Sequence, residues 1–119
     1  MSDFKRFDVV EEDDITILRL SDEELSELSL QEKLNHELLN LLESRNPKKL
    51  VVNFEPVRFC TTAVIETLIR VKKRVVANDG QLKLCALSPH VREAFKILNL
   101  DGTVFQITET ESEAIAAFS

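Results

Sequence analysis

Leu50-Val51-Val52-Asn53-Phe54-Glu55-Pro56-Val57-Arg58-Phe59-Cys60-Thr61-Thr62-Ala63-Val64-Ile65 decides how this chain is read. The β-branched apolar run Lys49–Phe54 predicts a buried strand. Pro56 ends it, and a helical pattern of apolar residues opens at Ala63. A strand that runs within a few residues onto a helix start is the unit from which open α/β sheets present functional groups. The first N–H groups of such a helix lack partners and carry the positive end of its dipole. A hydroxyl there can cap the helix or carry a phosphate, which makes Thr61 and Thr62 the residues of interest.

Working outward, the second long helix is expected over Ala63–Asn78. Its inner face would hold Ile65, Leu68, Ile69, Val75 and Val76, and its outer face Glu66, Arg70, Lys73 and Arg74. Asp79-Gly80 ends it, with Gly80 free to take a positive φ. Upstream, Phe4–Val10 and Ile15–Leu20 read as an antiparallel pair joined by Glu11-Glu12-Asp13-Asp14. Asp22–Leu28 reads as a turn of helix or a loop. The first long helix is placed at Ser29–Arg45 on the capping-box spacing Ser29 to Glu32, with Leu30, Leu34, Leu38, Leu41 and Leu42 inward. Asn46-Pro47 stops it. Downstream, Gln81–Leu87 is a strand, Ser88-Pro89 opens a helix through Leu98, Thr103–Thr108 is the last strand, and Thr110 to Glu113 caps a short helix to Phe118. The order β-β-α-β-α-β-α-β-α predicts an α/β fold: one domain over residues 1–119, with a mixed, mostly parallel sheet of about five strands and four helices.

Composition narrows the function. The chain has 119 residues, 44% of them hydrophobic, too many for disorder despite 30% charge. The net charge of −6 is uneven: residues 1–43 hold 13 acids and 4 bases (−9), and the remaining 8 acids and 11 bases leave +3. An acidic chain without a basic cluster is a poor nucleic-acid binder, and Arg70, Lys72, Lys73 and Arg74 read as a solvated helix face. No apolar run is long enough to span a bilayer, and Met1–Lys5 lacks a signal-peptide layout, so a cytoplasmic protein with no membrane partner is expected. Cys60 and Cys85 fit neither a metal pattern nor a disulfide framework and read as buried hydrophobes. Cys60 precedes a helix start, but no His or acidic partner for it is legible. His36 and His90 are isolated boundary residues, and the two glycines form no phosphate loop. No metal, no cofactor and no catalysis are expected.

The stretch Val51–Ile65 resembles the signature region of STAS domains of the anti-sigma factor antagonist type, where an apolar strand and a short turn lead to Asp-Ser-Ser or Asp-Ser-Thr, Gly-Leu and a helix. Asn78-Asp79-Gly80-Gln81-Leu82-Lys83-Leu84-Cys85-Ala86-Leu87-Ser88-Pro89-His90-Val91-Arg92 is similar to the family's glycine turn, strand and Ser-Pro helix start. Phe95–Asp101 and Glu111–Ala117 match the stretch before the last strand and the Ala-rich terminal helix. Each motif is short, but their order and spacing together are specific, and they cover Lys48 to Phe118.

The resemblance implies a protein that binds an anti-sigma factor acting as a serine kinase, is phosphorylated by it on the first hydroxyl residue after the Asp, and then releases it. Position by position, Thr61 stands for the Asp, Thr62 for the phosphorylated residue, Ala63 for the second hydroxyl and Val64 for the Gly. Val64 would set a β-branched side chain where a kinase needs close approach. Ser21-Asp22-Glu23-Glu24-Leu25 replaces the usual Gly-Glu-Leu-Asp. The expected docking surface comprises Asp22, Glu23, Glu24, Arg58, Thr61, Thr62, Ala63, Val64 and Glu66, on a monomer or weak dimer. The rival expectation is a constitutive scaffold subunit that uses the same surface without phosphorylation.

Overall fold

The computed structural model describes residues 7–25 and 28–118, with side chains for 7–24 and 32–118. The start of the first strand at Phe4, the Ser29 capping box and the inward placing of Leu30 therefore lie outside the described residues. The chain runs β1 (Phe7–Glu12), β2 (Ile15–Leu20), β3 (Glu24–Leu25), α1 (Leu28–Arg45), β4 (Lys49–Asn53), β5 (Phe59–Cys60), α2 (Thr62–Ala77), β6 (Gln81–Cys85), α3 (Pro89–Ile97), β7 (Gln106–Thr108) and α4 (Glu111–Ala116). The main sheet has the order β1-β2-β4-β6-β7, with β1 antiparallel to β2 and every other pair parallel. This is the mixed, mostly parallel sheet of five strands and four helices that the sequence predicts, with β3 and β5 added as a separate two-stranded sheet. The segment read as a turn of helix or loop thus contains a short strand at Glu24–Leu25.

Strand order explains the layers. Each parallel crossover steps in the same direction, and crossovers are right-handed, so α1, α2 and α3 all fall on one face. That face holds the larger core, in which Leu34, Leu38, Leu41 and Leu42 of α1 meet Ile65, Leu68 and Val75 of α2 over Leu50, Val52, Leu82 and Leu84. Phe95 joins it to both chain ends of the α3 layer, edge-on to Phe54 at 6.3 Å and to Phe105 at 5.6 Å. Among the described residues the opposite face carries one helix, α4, whose Ala114 and Ile115 pack with Ile15, Ile17, Val51 and Cys85. The same face buries Lys83, whose Nζ donates to Gln106 Oε1 and lies 4.9 Å from the centre of the Phe118 ring. Burial there lowers the Lys83 pKa.

Local chemistry fixes the connections. Asp13 and Asp14 both have positive φ, the requirement of a two-residue type I′ hairpin turn, so β1 extends to Glu12 beyond the expected Val10. Ser88 Oγ accepts from the Val91 N–H with Pro89 at the first helical position, as predicted. The capping box of Thr110 and Glu113 is complete. The end of α2 differs from expectation: Asp79, at φ 63°, takes the left-handed conformation, and Gly80 does not. Gly80 is required for space. A Cβ there would lie 2.7 Å from Val75 Cγ1 and 2.9 Å from the carbonyl oxygens of Lys48 and Val75. Val76 also departs from its predicted inward placing and is 50% exposed. The last strand is shortened to Gln106–Thr108, with Asp101 bridging to Phe105 ahead of it.

α4 is tied to the sheet by polar contacts. Arg19 Nε and Nη2 donate to the two Glu111 oxygens at 3.0 and 2.7 Å, and Asn53 Nδ2 donates to Glu111 Oε2 at 2.7 Å. The Arg19 hydrogen bond, reinforced by Asn53, holds the Glu111 carboxyl below its ordinary value.

Two outcomes follow from this packing. Gly80→Ala is expected to lose about 1–3 kcal/mol in urea unfolding, because the β-branched Val75 and two carbonyls cannot all move aside. A carboxyl with a depressed folded pKa stabilises above its unfolded pKa and stops doing so as pH falls through the folded value. Wild-type stability should therefore carry a contribution, full above about pH 4.5, that fades on further acidification and is missing in Glu111→Gln. With Arg19 47% exposed, its size is about 0.5–1 kcal/mol.

Candidate functional site

The site is built by the loop that leaves β4. Asn53 Oδ1 accepts from the Glu55 N–H at 2.8 Å, and the Val57 N–H closes a turn on Phe54 O at 2.8 Å. Val57 is buried beneath this turn, which redirects the chain upward from the carboxyl end of the parallel strands. The Arg58 and Phe59 N–H groups then both donate to Glu23 O, at 2.7 and 3.3 Å. These bonds and the parallel pairing of Glu24 with Phe59 and Leu25 with Cys60 dock β3 against β5. An acidic segment separated from the threonines by more than thirty residues is thereby set beside them.

Thr61 occupies the N-cap position of α2 with extended backbone, and its carbonyl accepts from Val64 and Ile65 at 3.1 and 3.3 Å. Its hydroxyl makes no capping hydrogen bond to the first turn, so the expected side-chain cap is not formed. Thr62 is the first residue of α2 and is exposed, as are Ala63 and Glu66. Its hydroxyl stands at the amino end of a helix of 16 residues that has no acidic side chain in its first turn. Val64 is in a different place: it is 1% exposed and packs into the core. The resemblance to the family sets this residue where a kinase would approach. The structure turns it inward and removes that obstruction, along with its place on the surface.

Two residues join the surface that the sequence reading did not select. Phe59 is 41% exposed, and its ring stacks on His90 at 5.7 Å with 25° between the planes. His90 is the second residue of α3, so the stack ties the threonine loop to a second helix start. No sequence signal marked Phe59, because an aromatic residue between Val57 and Cys60 reads as part of the core. Pairing of β3 with β5 sets exposed Glu23 and Glu24 beside Arg58 and Phe59, while Thr62, Ala63 and Glu66 are exposed at the start of α2 and Asp22 is half-buried.

The chemistry available here is binding and hydroxyl modification. Burial pushes the Cys60 thiol up to about 11 and the Cys85 thiol up to about 12, so neither is a thiolate at neutral pH. Among the described residues no group of three His, Cys, Asp or Glu side chains is placed to hold a metal, and no helix is long and apolar enough to cross a membrane. Native protein treated with iodoacetamide at pH 7.5 should remain unlabelled at both cysteines over hours, while urea-unfolded protein should label at both, as read by intact mass.

Comparison with known proteins fits this geometry. The STAS domain family model matches residues 6–114. A candidate anti-sigma factor antagonist, BtrV of Bordetella bronchiseptica, is 29% identical over 74 residues, 62% of this chain. The chain spans 63% of the length of that relative. Among solved structures, an anti-sigma-factor antagonist (STAS) domain protein of Planctomyces limnophilus superposes with a TM-score of 0.83 at 26% identity, covering 95% of this chain and 97% of its own. The Bacillus cell fate determinant SpoIIAA in its phosphorylated form superposes with a TM-score of 0.70 at 21% identity, covering 95% and 99%. With its sheet order, its helix-start threonines and a family match over nearly the whole sequence, this chain belongs to the STAS domain family.

Proposed function

We propose that this chain is a non-enzymatic, cytoplasmic protein-binding module of the anti-sigma factor antagonist kind, switched by phosphorylation of Thr62. Its partner is a regulatory protein with a serine/threonine kinase activity, and nucleic acid and membranes play no part. The observation that carries the reading is an exposed Thr62 hydroxyl at the first position of α2, directly after the β5 strand that pairs with the acidic β3 segment. Similarity to BtrV and to SpoIIAA, which exists in a phosphorylated form, supports it.

The physics of the switch follows from that position. A phosphate adds a charge of about −1.5 to −2, which the amino end of a helix tolerates, so the fold survives modification. The docking surface does not. The acidic β3 segment lies beside the loop that leads to Thr62, and a partner seated there would have to bury a dianion with Arg58 as the one exposed cation of the loop. Phosphorylation therefore releases the partner. Thr61 in place of an acidic residue leaves the adjacent N-cap position uncharged, which keeps the unmodified surface closer to neutral.

Capture of partners from the native host, with mass analysis of the peptide spanning residues 59–70, tests both halves. Thr62 is expected to be found phosphorylated in the fraction that captures no kinase. Thr62→Glu should weaken capture by at least about tenfold, as expected for an unpaired charge in an interface, while Thr62→Ala binds and resists modification. Phe59→Ala should weaken binding without altering the fold. Equal capture by Thr62→Glu and wild type would defeat the switch and leave a constitutive module. Unchanged capture by Phe59→Ala together with Glu23→Lys would defeat the docking surface itself.

A further inference from the structure

We propose that the groove between the outer side of α2 and the segment leading into β7 binds a small anionic amphiphile: an acyl or aryl body ending in a carboxylate or a similar singly charged acid. The groove is lined by Ile69, Lys72, Lys73, Val76, Ala77 and Val104 and encloses about 510 Å³. That volume lies in the range of small-ligand sites. Four of the six linings are apolar, two are cationic and none is acidic, in a chain whose net charge is −6.

The groove exists because α2 has two apolar stripes. Successive helical residues turn by about 100°, and beside buried Val75 the next residue, Val76, falls outside the inner face and is exposed. Ile69, Val76 and Ala77 form a second stripe that runs about 12 Å along the helix. The sheet covers the first stripe, and no described element covers the second, which leaves Val76 half-exposed. Val104 makes the opposite wall. Lys72 is held across this gap, with Nζ donating to Val104 O and lying 5.9 Å from the centre of the Phe105 ring. Its cationic end is thus fixed at the edge of an apolar trough, and exposed Lys73 adds a second charge beside it.

Size and charge select the occupant. Protein partners bury roughly 20–30 residues on each side, whereas this trough offers six. A neutral lipid would gain nothing from the two ammonium groups at the rim, and a cationic amphiphile would be repelled. An acyl carboxylate satisfies both features, with its chain along Ile69, Val76 and Val104 and its head group at Lys72 and Lys73. The groove begins about 10 Å along the axis of α2 from Thr62, so a ligand here leaves the threonine surface open.

Amide-resolved NMR titration of the full chain with decanoate below its micelle concentration tests this. Saturable shifts confined to residues 69–77 and the neighbourhood of Val104 are expected. Decanol should bind about three- to fivefold more weakly and decyltrimethylammonium not measurably. Val76→Asp, at an exposed position, should keep the fold and lose decanoate binding, and Lys73→Glu should weaken it by a similar few-fold factor. Absence of saturable shifts, equal binding of decanoate and decanol, or shifts unaffected by Val76→Asp would each overturn the proposal. So would perturbation of the same amides on raising the protein concentration alone, which would assign the groove to a second copy. Protection of these amides by anionic phospholipid vesicles with no response to free decanoate would assign it to a membrane surface and overturn it equally.

Discussion

The fold and the candidate site both hang from β4. It is the central strand, paired in parallel on one side to β2 and on the other to β6, and Leu50, Val51, Val52 and Asn53 are all buried. Pairing on both edges satisfies its backbone, and apolar cover on both faces leaves it no alternative register, because a slip of one residue would exchange the two cores. From that fixed strand the chain emerges at a defined point. Asn53 then serves both sides of the molecule: its Oδ1 shapes the turn toward Thr61, and its Nδ2 holds Glu111 of α4. One buried amide thus sets the direction of the threonine loop and anchors the helix on the opposite face.

Asymmetry between the two faces governs the rest. Three crossovers of one hand, stepping one way, give one face three helices and leave the other to the six residues of α4. The thinner face therefore relies on polar ties: the Arg19–Glu111–Asn53 contacts and the Lys83 ammonium between Gln106 and Phe118. The thicker face can rely on packing alone, and its aromatic centre, Phe54, Phe95 and Phe105, joins the threonine loop to α3 and to the segment before β7. The candidate site lies where this face meets the carboxyl edge of the sheet, since the loops there are positioned by buried strands while their tips stay open to solvent.

Much of this was legible in the residues themselves. Alternating and helical periods located every long element, and Ser88-Pro89 and the Thr110–Glu113 box marked two helix starts that formed as read. The strand–turn–threonine stretch placed Thr62 at a helix start, where it is found. These features were readable because they depend on neighbours within about four residues, the range over which caps, turns and helix faces are decided.

Tertiary structure decided what depended on distant partners. β3 and β5 are two residues each, too short to carry a period, and exist because Glu23 O meets the Arg58 and Phe59 N–H groups. The directions of Val64 and Val76 turned on where the sheet lies relative to α2, since a valine suits either side of a face boundary. Gly80 looked like a residue chosen for its φ, yet its reason is space: Val75 crowds it from within the helix end, and the Lys48 carbonyl comes within 2.9 Å of its missing Cβ when β4 and β6 pair. The sequence by itself determined the long elements and the hydroxyl at the start of α2. Packing determined which side chains surround that hydroxyl, because surface adjacency between distant segments is settled by long-range pairing and leaves no local trace in the sequence.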